Sequence, residues 1–287
     1  MTEFCFFDHQ ARNDLKKKKI YVPSVYKNVR SACRKTQNLQ GVATSPKTGK
    51  LQYYYRSKYI EEKKKEKFRR MKRFLAIISQ VRKDVKNLLH QGNLRERKIS
   101  LAIGLANVCS FRVGSTTNKN PGGITTLKTK NFTNGSISFI GKGGKLNTCT
   151  KPVDIPESLL RKYLMNPPTS KDMNNFLSFY GNFTMKDFRT LNANRLYISH
   201  LIENQKKGKY SSKQNISTES IRETAKEMNH NITTLQKHYL HPVIVKFYLN
   251  EKAPFIFTKH MTTKSSERIL HRFLSIVSSS ALSSPAV

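Results

Sequence analysis

The sequence predicts an α+β chain, with a small N-terminal β-rich domain at residues 1–60 and a mostly helical domain at 61–287 that carries a small β insert at about 122–153. Three observations predict it. The first sixty residues mix β-favouring aromatic runs with turn formers, whereas Ile60 to His90 contains neither Gly nor Pro and repeats its apolar residues at helical spacing. Glycine-rich and β-branched strings then interrupt the helical pattern, which resumes from Pro156.

In order along the chain, Lys16 to Lys19 is a basic run, and Ile20-Tyr21-Val22 before Pro23 is strand-like. Turn formers at Ser45-Pro46 and Thr48-Gly49 lead into Leu51-Gln52-Tyr53-Tyr54-Tyr55, a β-favouring aromatic strand. The long helix follows: Phe68, Met71, Phe74, Leu75, Ile78, Val81, Val85 and Leu88 make one apolar face, and Lys63 to Arg73 is strongly basic. Ile99 to Cys109 reads as a buried helix ending near Phe111-Arg112-Val113-Gly114. Gly122 to Leu127 and Ser136 to Ile140 read as two strands, and Gly141-Lys142-Gly143-Gly144-Lys145 as a turn into a third. Ser170 and Thr184 open further helices, Lys206 to Gln214 is a polar loop between helices, and the tail from Ser278 should fray.

Charge narrows the partner. Lys and Arg number 53 against 18 Asp and Glu, a formal net charge of +35. Such one-sided charge suits a dense polyanion, and nucleic acid is the expected partner. Thinly spread acids count against a metal-dependent nuclease or polymerase, which clusters carboxylates around its cations. No apolar run reaches the roughly 20 residues of a membrane span, and Met1 to His9 lacks a secretory pattern, so the expected setting is inside a cell or virion. Cys5, Cys33, Cys109 and Cys149 lie far apart without a Cys-x-x-Cys pair, and reduced thiols are expected.

Single motifs say little. Gly141 to Gly144 lacks the Gly-x-x-x-x-Gly-Lys-Ser/Thr spacing of a phosphate loop. His230, His238 and His241 have no carboxylate or cysteine to complete a ligand set, so no metal is expected. Their order carries more. Arg112 follows a helix, Lys142 lies in a β turn, Lys186-Asp187-Phe188-Arg189 begins a helix, and Tyr239 stands nine residues beyond His230.

This series resembles the catalytic set of type IB DNA topoisomerases, of the short poxvirus and giant-virus kind with near relatives in bacteria. Phe111-Arg112-Val113-Gly114, Gly123-Ile124-Thr125-Thr126-Leu127, Phe139-Ile140-Gly141-Lys142, Thr184-Met185-Lys186-Asp187-Phe188-Arg189-Thr190 and Tyr239-Leu240-His241-Pro242 carry the likeness. Gly49 to Tyr55 and Phe273 to Val277 extend it over nearly the whole chain. The resemblance implies the helical catalytic fold shared with tyrosine recombinases, and relaxation of supercoiled duplex through a 3′-phosphotyrosyl intermediate, without ATP, metal or cofactor. It makes Tyr239 the nucleophile, and Arg112, Arg189 and His230 the stabilisers of the non-bridging phosphate oxygens. Lys142 becomes the general acid and Lys186 a supporting cation. Gln52, Tyr53, Tyr55 and Lys128 become duplex contacts, and the protein a monomer that clamps DNA without an obligate protein partner. The resemblance also places it in a virion or viral replication site if viral, and otherwise in a nucleus or nucleoid.

Four positions depart from the family pattern, the first three at supporting phosphate contacts that bear on DNA affinity and site preference. Asn118 stands where the family commonly has a tyrosine, Lys128 and Asn131 replace an arginine and a histidine, and Gln236 replaces a basic residue before the nucleophile. Two other readings share parts of the pattern. A tyrosine recombinase or integrase would place His-x-x-Arg where this chain has Lys186-Asp187-Phe188-Arg189, and a helical domain at its N-terminus. A non-catalytic basic packaging protein would use the charge alone.

Overall fold

The computed structural model describes residues 2–114, 122–133, 135–150, 156–250 and 266–280, the last stretch with side chains to 275. The chain divides into two compact units, Met1–Arg69 and Arg70–Val287, each described separately.

In the first unit, strands β1 (Phe4–Phe7), β2 (Lys27–Ala32), β3 (Leu39–Thr44) and β4 (Leu51–Tyr55) form an antiparallel sheet in that order. Helix α1 (Asp8–Lys17) packs its two buried residues, Ala11 and Leu15, on Val22, Val29 and Ala43. Contact is close: a Cβ on Gly41 would come within 2.8 Å of the Leu15 methyls, which would have to shift to admit it. Arg12 ties the following loop by donating to the carbonyls of Pro23 at 3.1 Å and Ser24 at 3.2 Å. The β3–β4 turn is the one expected at Ser45 to Gly49: Gly49, at φ +66°, donates to the Ser45 carbonyl.

Two expectations fail in this unit. Ile20-Tyr21-Val22 is not a strand; it is the unpaired return from α1, whose apolar side chains join the core. Cys5 and Cys33 are not free thiols but a disulfide across the β1–β2 edge, with Cα atoms 4.9 Å apart. Antiparallel pairing of Phe4 with Ala32 brings together residues far apart in sequence.

Helix α2 (Ser57–Gln91) contains the division between the units, and in the second unit is followed by α3 (Leu94–Cys109), α4 (Glu157–Met165), α5 (Ser170–Ser178) and α6 (Met185–Lys207). Then come α7 (Lys213–Glu227), α8 (Ile232–His238), α9 (Pro242–Leu249) and α10 (Ser266–Ser280). Helix α6 is the hub. Its residues are buried around most of the circumference, with Phe188, Leu191, Tyr197, Ile198 and Leu201 at 0 % exposure. Phe74 of α2 meets Phe188 edge-on at 4.8 Å. On the far side Phe273 of α10 meets Phe247 of α9 at the same distance. Arg82 of α2 grips Glu267 of α10 through both carboxylate oxygens, at 2.6 and 2.7 Å.

The β insert is a three-stranded antiparallel sheet, β5 (Phe132–Thr133), β6 (Ser136–Ile140) and β7 (Leu146–Thr150). Gly122 to Leu127, expected as a strand, instead makes a 3₁₀ turn at Ile124–Thr126. The Thr126 hydroxyl closes that turn on the Gly123 carbonyl at 3.1 Å and accepts from the Gly123 N–H at 3.0 Å. Cys109 and Cys149 form a second disulfide, again against expectation, because β7 lies along the end of α3. Asn118 and most of the tail expected to fray lie outside the described residues.

Candidate active site

Three of the expected site residues meet in one buried cluster, and local sequence explains how. Thr184 caps α6 in a capping box with Asp187, whose Oδ2 accepts from the Thr184 N–H at 2.8 Å and hydroxyl at 2.9 Å. The other Asp187 oxygen accepts from Arg70 Nε at 2.7 Å. With the first turn fixed, Lys186 stays exposed while Arg189 turns inward, 5 % exposed.

The Arg189 guanidinium donates to the carbonyls of Ser110 and Met228, the latter at 3.3 Å, and to His230 Nε2 at 2.6 Å. Ser110 ends α3 in the left-handed region, at φ +53°. Arginine has no acceptor, so His230 Nε2 must accept; the proton then sits on Nδ1 and the ring is neutral. Burial, followed by the charges of Arg189, Arg112, Lys145 and His238, holds the His230 pKa down at about 3. Its Nδ1 has no hydrogen-bond partner among the described residues. Burial also lowers Arg189 to about 10, with Tyr239 opposing and Arg112 adding to the shift, so the guanidinium remains a cation at neutral pH.

Tyr239 completes the cluster. Its ring lies 4.4 Å from that of His230, and the Arg189 guanidinium carbon is 5.9 Å from its centroid. Asn194, five residues beyond Arg189 on α6 and 0 % exposed, clamps the backbone around it. Asn194 Nδ2 donates to the Tyr239 carbonyl at 2.9 Å, and Asn194 Oδ1 accepts from the His241 N–H at 2.8 Å. Pro242 then starts α9, with the His241 imidazole capping it.

Arg112 is half-buried beside this cluster, its charge acting on both Arg189 and His230. Its segment is pinned by Ile124 and Thr125, whose N–H groups donate to the Arg112 and Val113 carbonyls at 2.9 and 2.8 Å. A Cβ on Gly123 would fall 2.4 Å from the Gly114 nitrogen, so this approach requires glycine. Lys142 stands exposed on the β6–β7 turn, where Gly143 and Gly144 take φ of +78° and +74°. The hairpin faces the cluster: Lys145 is among the charges on His230, and Asn229 Nδ2 donates to the Leu146 carbonyl at 2.9 Å.

Lys128 is exposed, and Asn131 braces it by accepting from its N–H at 2.9 Å and donating to the Ser138 carbonyl at 3.0 Å. Gln52, Tyr53 and Tyr55 are exposed on β4 of the first unit. Sequence reasoning missed Asn194, Lys145 and Asp187. A buried asparagine inside a helix, where its intrinsic preference is poor, was the available signal for Asn194.

A family model described as the eukaryotic DNA topoisomerase I catalytic core matches residues 56–248, which include this cluster and the hairpin. The chain is also 25% identical, over 276 residues, to DNA topoisomerase 1B of Acanthamoeba polyphaga mimivirus, covering 83% of this chain and 80% of that relative. The chain belongs to the type IB DNA topoisomerases.

The electrostatics of this topoisomerase suit an anion. A buried guanidinium and a neutral histidine with its Nδ1–H uncommitted border the ring of Tyr239, and the charge of a second arginine, Arg112, acts on both. Such preorganised donors stabilise negative charge without reorganising, and burial raises their worth. Among the described residues, no group of three or more His, Cys, Asp or Glu side chains is arranged to hold a metal ion. Among the same residues, no helix is long and apolar enough to cross a membrane.

Proposed function

We propose that this topoisomerase relaxes supercoiled duplex DNA by cutting one strand through Tyr239, holding the cut as a 3′-phosphotyrosine, and religating it without ATP or metal. The observation that carries the reading is the buried contact of Arg189 with both His230 and Tyr239.

In this reading the Tyr239 oxygen attacks phosphorus and the 5′ oxygen of the next nucleotide leaves. Arg112 and Arg189 hold the non-bridging oxygens, and His230 donates its Nδ1–H to one of them. Lys142 delivers a proton to the leaving 5′ oxygen, with Lys186 a supporting cation near the scissile phosphate. Religation reverses these steps, and because the ester bond is conserved in the protein–DNA link, no nucleotide hydrolysis is required. Gln52, Tyr53, Tyr55 and Lys128 contact the duplex, and the protein acts as a monomer around it, inside a cell, virion or viral replication site.

The test is relaxation of positively and negatively supercoiled plasmid by purified protein in EDTA without ATP. Relaxation of both signs is expected. An absolute requirement for magnesium or ATP overturns the reading, and a requirement for a specific partner sequence would return a recombinase to consideration.

A further inference from the structure

We propose that Cys109 and Cys149 form a thiol–disulfide switch that sets how firmly the general-acid hairpin is held at the active site. The proposal rests on the assignment of Lys142 as the acid.

The geometry singles out this pair. Cys109 is the last residue of α3, immediately before Ser110, whose carbonyl receives Arg189, and three residues before Arg112. Cys149 lies on β7, in the hairpin whose turn bears Lys142. Their Cα atoms are 5.6 Å apart across a sequence separation of 40 residues, and the loop they close contains both Arg112 and Lys142. The bond therefore joins the arginine segment to the lysine hairpin covalently.

Other ties are weaker. Phe111 meets Phe139 edge-on at 4.8 Å, and the half-buried Asn229 side chain donates to the Leu146 carbonyl at 2.9 Å. The turn at Lys142 to Gly144 is exposed and contributes no buried side chain. Both cysteines are half-buried, so a small dithiol can reach the sulfurs. The other disulfide, Cys5–Cys33, lies in the first unit and closes a loop without catalytic residues.

The chemistry is thiol–disulfide exchange with a dithiol reductant. One thiolate of the reductant attacks a protein sulfur, forming a mixed disulfide and expelling the other cysteine as thiolate. The reductant's second thiol then closes its own disulfide and releases the first cysteine. Two electrons pass to the protein, two protons end on Cys109 and Cys149, and the dithiol leaves oxidised. Oxidised protein holds Lys142 in register with Arg112; reduced protein lets the hairpin drift, which slows acid catalysis while DNA binding is retained.

The experiment measures single-turnover covalent-adduct formation on a short cleavable duplex, before and after incubation with dithiothreitol. It compares wild type, the Cys109→Ser/Cys149→Ser double variant and the Cys5→Ser/Cys33→Ser double variant. Reduction should slow wild type and the Cys5/Cys33 variant by about 10- to 100-fold. The Cys109/Cys149 variant should be slow in both conditions, and a duplex with a sulfur leaving group at the 5′ position should remove the difference. Four free thiols in oxidised, denatured wild type would overturn the proposal. So would dithiothreitol sensitivity that persists in the Cys109/Cys149 variant, or loss of DNA affinity on reduction, which would signal unfolding. If the reduction effect persists on the sulfur duplex, Lys142→Ala on that duplex separates the causes: rescue places the switch elsewhere, and no rescue removes Lys142 as the acid.

Discussion

Replacing Asn194 with alanine should disable the nucleophile without touching it. The side chain is fully buried, donating to the Tyr239 carbonyl at 2.9 Å and accepting from the His241 N–H at 2.8 Å. Alanine removes the partner of that carbonyl and of that N–H, at about 1–3 kcal/mol each, so the expected stability loss is about 2–6 kcal/mol. For a unit of this size that lowers the melting temperature by roughly 4–24 °C. Below the transition, a Tyr239 backbone freed on both sides should cost about 10- to 100-fold in cleavage rate, because small displacements from an attack geometry are expensive. Equilibrium DNA affinity should change little. Asn194→Asp keeps the shape and the acceptor for His241 but turns the donor facing Tyr239 into a second acceptor, so it should fare no better than alanine. The assays are a thermal melt and single-turnover adduct formation. An Asn194→Ala protein that melts within about 1 °C of wild type and cleaves within about twofold would refute the clamp.

The division of labour within the cluster gives two further expectations. Tyr239→Phe should abolish adduct while DNA affinity stays within about a few-fold, and Lys142→Ala should slow cleavage by roughly 10²- to 10⁴-fold. A 5′-bridging phosphorothiolate, whose sulfur leaves without protonation, should restore the Lys142→Ala rate but not that of Arg189→Ala; the reverse pattern would exchange their roles. His230 supplies a pH test. Its pKa is 6.5 ordinarily and about 3 in the fold, so between those values the unfolded chain binds a proton that the native site refuses. Its contribution to stability is therefore constant above about pH 6.5 and declines as pH falls toward 3. The stability advantage of wild type over His230→Asn should shrink between pH 7 and pH 4 in denaturant titrations, about the window those two values set. An advantage that grows on acidification would mean the ring is charged in the fold.

What the sequence disclosed follows from the range of the forces involved. Helix α2 was legible because a Gly- and Pro-free run with apolar residues at helical spacing needs no distant information. Helix α1 was not: only Ala11 and Leu15 face the core, too sparse a stripe to stand out among Lys, Arg and Asn. Gly122 to Leu127 misled because extended backbone entering a 3₁₀ turn has the same β-branched composition as a strand. The two disulfides depend on which strands become neighbours, which spacing along the chain does not reveal. In the active site, the order of Arg112, Lys142, Arg189, His230 and Tyr239 was readable as a pattern. The neutral tautomer of His230 and the clamp by Asn194 were not, since both arise from contacts between helices.

The central claim is that Tyr239 becomes covalently joined to the 3′ end of a cleaved strand. The direct measurement is to trap the complex with SDS on a defined duplex in EDTA, digest it, and map the adduct by mass spectrometry. The account predicts a nucleotide linked through its 3′ phosphate to the peptide containing Tyr239, with a free 5′-hydroxyl on the other fragment and no adduct in Tyr239→Phe. A 5′-phosphoryl linkage, an adduct on any other residue, or adduct formation only when magnesium is supplied would contradict it.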